Sequence, residues 1–117
     1  MNLMFSGCNS LISLKLSNFN TQNVTNMESM FSLCHSIKNL DLSSFNTQKM
    51  YTMSHMFYEC ESLTNLNISN FNTKEARVIM IFSGCKSLKY LKLSSLSKLN
   101  CENIFHEFKL LQLMGYN

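Results

Sequence analysis

Met4-Phe5, Met30-Phe31 and Met56-Phe57 recur every 26 residues, Ile81-Phe82 follows 25 later, and a cysteine stands three positions after each phenylalanine, at Cys8, Cys34, Cys60 and Cys85. Such a register restricts the chain to stacked copies of one small unit. Further columns keep the same period: Leu11, Ile37, Leu63, Leu88; then Leu14, Leu40, Leu66, Leu91; then Leu16, Leu42, Ile68, Leu93; then Phe19, Phe45, Phe71, Leu96. A worn fifth unit places Cys101, Ile104 and Phe108 where Val24, Met27 and Phe31 stand in an intact one. One unit buries about eight side chains at roughly 1.5–3 kcal/mol each. Ordering its backbone costs about 1–2 kcal/mol per residue, so units must cover one another to fold.

The apolar period changes within each unit. Leu14/Leu16 and Leu40/Leu42 alternate, which predicts short strands with one buried face. In "NVTNMESMF" the spacing becomes three and four, through Val24, Met27 and Met30/Phe31, which predicts one face of a short helical turn. Thr25 and Glu28 fit a capping box there, and Thr21 or Asn23 are equally good first caps. The expected fold is an α/β repeat: a leucine-rich-repeat-type solenoid of about four 26-residue units, parallel sheet on one side and short helical turns on the other. Residues 1–98 form this body, and residues 99–117 a degenerate last repeat or helical C-terminal cap.

The segments "LISLKLSNFN", "IKNLDLSSFN" and "LTNLNISNFN" look like the leucine-rich-repeat pattern, with phenylalanine in the column beside the asparagine. Joined to "FNTxxVTxMxxMFxxCxS", they resemble the BspA-like branch of leucine-rich repeats over about residues 1–97. The match loosens in "NTKEARVIMIF", which is one residue short, and from Ser97 onward. The resemblance implies a binding or adhesive module of the kind found in tandem on surface proteins of mycoplasmas, other bacteria and some protists. It names no ligand.

Charge narrows the functional classes. Ten Lys/Arg against seven Asp/Glu leave a net charge of +3 without a basic stripe, so no footprint for nucleic acid or an anionic membrane emerges. Apolar runs are only a few residues long, too short for a membrane-spanning helix, and the first ten residues lack the basic-then-apolar form of a secretory signal.

The four cysteines in one column read as buried reduced thiols. Disulfides between neighbouring units and a metal site are the competing readings, although no C-x2-C pair exists. Asn20, Asn46 and Asn72 form a second column, beside Thr21, Thr47 and Thr73, and are expected to bond backbone groups of the adjacent unit as a structural ladder. The methionines read as core filling, and His35, His55 and His106 share no repeat position. The residues between the buried leucines point outward and define the candidate binding face: Lys15, Asn39, Asp41, Asn65, Asn67, Tyr90 and Lys92. A recognition surface and a merely solvated one fit them equally.

The functional expectation is a non-enzymatic protein-binding module with no cofactor and no metal, of the surface-adhesion or host-protein-binding type. The alternative is an intracellular structural subunit of a larger assembly. A protein partner is expected over the N-terminal end, around Leu3, Met4, Leu11, Leu14 and Leu16, and a homo-oligomer is open. Location at the cell surface follows only if the bacterial family analogy holds.

Overall fold

The computed structural model describes residues 1–94 and 112–114. Four strands form one open parallel sheet in the order β1-β2-β3-β4: β1 (Asn39–Asp41), β2 (Asn65–Ile68), β3 (Tyr90–Leu93) and β4 (Gln112–Met114). The register follows the sequence columns, with Leu40 opposite Leu66 and Leu66 opposite Leu91. Leu40, Leu66, Ile68, Leu91 and Leu93 are buried, and Asn39, Asp41, Tyr90 and Lys92 lie outside, as period-2 alternation requires.

The expected α/β repeat, a four-unit leucine-rich-repeat-type solenoid with helical turns, is overturned. No helix exists among the described residues, and the only regular structure there is the open parallel sheet. The apolar spacing of three and four around Met27–Cys34 arises from tandem turns. Within a unit the bonds close over three residues, from Met30 N–H to the Met27 carbonyl, Ser32 to Ser29 and Cys34 to Phe31. The alternate amides leave the unit instead. Met27, Ser29, Phe31 and Leu33 donate to the carbonyls of Thr52, Ser54, Met56 and Tyr58, and Met53, His55, Phe57 and Glu59 donate to those of Arg77, Ile79, Ile81 and Ser83.

Two residues per unit have positive φ and make this path possible. They are Leu3, Ser29, His55 and Met80 in one column, and Gly7, Leu33, Glu59 and Gly84 in the next. A left-handed residue costs about 1–2 kcal/mol when it carries a side chain. It also breaks the helical run: the left-handed residue's own N–H points to the neighbouring unit, as in Ser29 to Ser54 and Leu33 to Tyr58, and the next N–H closes back within its own unit. An isolated helical turn would pay nucleation for a single closing bond, whereas the turn path gains a ladder of bonds to each neighbour. Glycine fits position 84 for a further reason. A Cβ on Gly84 would sit 2.8 Å from the Glu59 carboxyl and 3.1 Å from the Glu59 Cα.

The first unit departs from expectation as well, because Leu14 and Leu16 lie in irregular chain despite alternating like the later strands. At the far end, β4 falls within the stretch expected to form a helical cap. Cys101, His106, Ile104, Phe108 and the remainder of 99–117 lie outside the described residues.

The core runs between sheet and turns as columns of like side chains. Phe5, Phe31, Phe57 and Phe82 stack with ring centroids 5.6, 5.9 and 5.8 Å apart. Phe45 and Phe71 form a parallel stack at 6.5 Å. Met27, Met30, Met53 and Met56 are fully buried and fill the space between units.

Candidate functional site

The outward residues of β1, β2 and β3 line an open groove of about 410 Å³, bordered by Ser13, Leu14, Asn39, Asp41, Asn65, Asn67, Tyr90 and Lys92, with Leu40 and Leu66 also contributing. Parallel pairing places Asn39 beside Asn65 beside Tyr90, and Asp41 beside Asn67 beside Lys92, so the groove crosses the strands along two side-chain rows. The Asn65 side-chain amide donates to the Asn39 Oδ1 at 2.6 Å. Asp41 Oδ1 accepts from the Ser43 amide at 2.9 Å. The Ser43 hydroxyl and amide hold the Asp41 carboxyl below its ordinary value, with Lys92 adding to the effect. Tyr90 is 42% exposed and supplies an aromatic wall at one end.

Lys15 is placed apart from this groove. It lines an adjoining hollow of about 450 Å³ with Ser17, Ser43 and Ser44, and Leu14 and Asp41 border both spaces. Six of the seven residues read as a binding face therefore border one groove, and the seventh opens onto its neighbour.

The two structural columns behave differently. Cys34, Cys60 and Cys85 are buried free thiols and Cys8 is half-buried. Each buried thiol donates to the carbonyl of a phenylalanine in the preceding unit: Cys34 to Phe5 at 3.1 Å, Cys60 to Phe31 at 3.1 Å and Cys85 to Phe57 at 3.0 Å. Burial pushes the Cys34 thiol up to about 11 and that of Cys85 up to about 12. Cys60 moves in the same direction through burial, reinforced by the thiols on either side.

The asparagine column does not bridge units through its side chains. Asn20, Asn46 and Asn72 each accept, through Oδ1, from the amide two residues on, at Gln22, Gln48 and Lys74. Those are local Asx turns. The bridging falls to threonine. Thr21 Oγ1 accepts from the Asn46 amide at 2.8 Å and donates to its carbonyl at 3.2 Å, and Thr47 Oγ1 does the same for Asn72 at 2.7 and 3.4 Å. Thr21, Thr47 and Thr73 are buried, whereas Asn20 and Asn46 are exposed. Thr47→Val is accordingly expected to cost about 1–3 kcal/mol by stranding the Asn72 amide. Asn46→Ala should cost at least about 1 kcal/mol less, since its lost partner is reached by water. Urea midpoints of the two variants check this order.

A family model described as Mycoplasma protein of unknown function, DUF285, matches residues 1–109. The chain belongs to that family. No curated protein and no solved structure matches this DUF285 chain. Among its described residues no three His, Cys, Asp or Glu side chains gather as metal ligands, and no helix is long and apolar enough to cross a membrane. His55 packs edge-on against Tyr58 at 5.8 Å, in the turn ladder and away from the groove.

Proposed function

We propose that this DUF285 chain is a non-enzymatic protein-binding module that meets its partner at the sheet face, as a surface adhesin or host-protein binder does. The observation that supports it most is the groove itself. Rows of amide, carboxylate and ammonium groups line it, with half-buried Leu14 at its border and a tyrosine at one end. That composition, an aromatic anchor within a polar rim, is the usual make-up of a protein interface. Its polar groups are committed to neighbours, Asn65 to Asn39 and Asp41 to Ser43, which suits recognition better than proton transfer. The likeness of the repeat to BspA-like surface proteins supports the adhesive form.

A photo-crosslinking amino acid at Asn65, compared with one at exposed Gln48 in a turn outside the groove, tests the reading. Discrete protein adducts are expected from position 65 alone, and Asp41→Lys should remove them. Identical adducts from both positions, or none from position 65, would sink it. The second reading, a structural subunit of a larger assembly, draws on Leu3 and Met4, which are 57% and 48% exposed at the outer face of the first unit.

A further inference from the structure

The groove holds opposite charges at a fixed separation. Asp41, Asn67 and Lys92 stand beside one another in the parallel register, so carboxylate and ammonium rise from strands two spacings apart, a Cα separation of about 9.5 Å. Both charged residues are exposed, and half-buried Asn67 lies between them. Lys92 attracts the Asp41 carboxylate from that distance without forming an ion pair with it; among the described residues the ion pair is Lys86 with Glu61. The groups that hold Asp41 are neutral, the amide and hydroxyl of Ser43, so its charge is fixed in place and not cancelled. Asn67 Oδ1 accepts from the Ser69 amide at 3.0 Å, and no described residue accepts from its Nδ2. Tyr90 shares the exposed side of β3 with Lys92.

A ligand that answers both charges presents a cation and an anion on one side, about 9.5 Å apart. An extended strand carries same-face side chains about 7 Å or about 13 Å apart, the first too close and the second too far. A helix returns to one face after seven residues, about 10.5 Å, but its backbone is already bonded within itself. A polyproline II segment repeats its face every three residues, about 9.3 Å, and its backbone makes no internal hydrogen bonds, so its carbonyls can accept from the Asn67 amide group. Exposed Tyr90 supplies an aromatic surface of the kind on which such segments pack. We propose that the groove takes a polyproline II segment of a partner protein, laid across the strands, with a basic side chain at Asp41 and an acidic one three residues away at Lys92. The inference rests on the proposed function, since it names what the partner presents to that face.

Fluorescence anisotropy with labelled proline-rich peptides tests it, each carrying one lysine and one glutamate set two, three or four residues apart. The three-residue spacing should bind at least about tenfold more tightly than the other two, and high salt should weaken it, because the charges are exposed. Lys92→Asp should move the preference to a peptide with two lysines at that spacing, and Asp41→Lys to one with two glutamates. Where Asp41→Lys lowers the melting temperature, Lys92→Asp alone decides. No binding, or equal binding at all three spacings, overturns the proposal, as does a preference that Lys92→Asp leaves in place. Tighter binding of an alanine-based helical peptide with its charges seven residues apart would make the occupant a helix, and self-association that Lys92→Asp breaks would make it a second copy; either overturns it. Discrete crosslinked adducts from position 65 without a peptide preference would reject this segment and leave the proposed function standing. Absence of those adducts strikes the proposed function and this inference with it.

Discussion

Replacing Phe57 with alanine is expected to cost about 3–5 kcal/mol, the range for deleting a fully buried aromatic side chain. Phe57 is wholly buried and lies between two rings, Phe31 at 5.9 Å and Phe82 at 5.8 Å, with planes within 2° and 13° of parallel. Each such pair adds about 0.5–1.5 kcal/mol beyond the area buried. Stacked units leave the cavity little room to collapse, because the backbones on both sides are pinned by the ladder that joins Phe57 to Ile81 and Phe31 to Met56. Phe5→Ala removes the same side chain where it is half-buried and stacked on one unit only, and should cost less than half as much. Denaturant unfolding of the two variants measures the difference, and equal midpoints would show that the aromatic column contributes little.

The second large effect is a loss of stability in alkali. Cys34, Cys60 and Cys85 keep their protons in the folded chain well past the ordinary thiol value of 9.0, chiefly because burial disfavours the thiolate. Below pH 9 both folded and unfolded chains hold these protons, and stability does not vary through them. Above it the unfolded chain releases protons that the folded chain retains, so stability falls as pH rises toward the folded values of about 11 for Cys34 and about 12 for Cys85. Each thiol whose titration is fully suppressed contributes a slope of about 1.4 kcal/mol per pH unit. Melting temperatures between pH 8 and pH 11 should therefore drop steeply, and Cys60→Ala should flatten the drop by one proton's worth. A slope unchanged in that variant would show that the buried thiols do not carry the loss.

Much of the core was legible in the sequence, because a column repeated three or four times marks burial better than any single residue can. Leu40, Leu66 and Leu91 fell into the strands that their alternation implied. Leu14 and Leu16 carry the same alternation without forming a strand, so period 2 marks the buried face without guaranteeing the pairing. The helical turns failed for a different reason. Apolar spacing of three and four is common to a helix and to tandem three-residue closures, and only φ separates them. One signal was present: Gly7 and Gly84 stand in the same column as Leu33 and Glu59, and a column that admits glycine at both ends marks a left-handed position. The asparagine and threonine columns were inseparable by period. Reach decided between them, as the short buried hydroxyl meets the next backbone while the longer amide turns back on its own.

The odd unit length has a use. Met50 and Ala76 hold equivalent places, each bonded to a threonine three residues earlier, yet Thr52 already pairs with Arg77, so the missing residue corresponds to Tyr51. Tyr51 is 63% exposed at a corner between the threonine bridge and the turn ladder, and both ladders pass the omission without slipping register. This corner is thus a place where the chain can change length while the columns stay aligned. For anyone grafting an epitope, a tag or a longer loop onto this protein, added chain here would hang outside the packed interior and leave the stack of rings intact, provided the Tyr51 amide keeps its bond to the Thr25 carbonyl and the Arg77 amide its bond to the Tyr51 carbonyl.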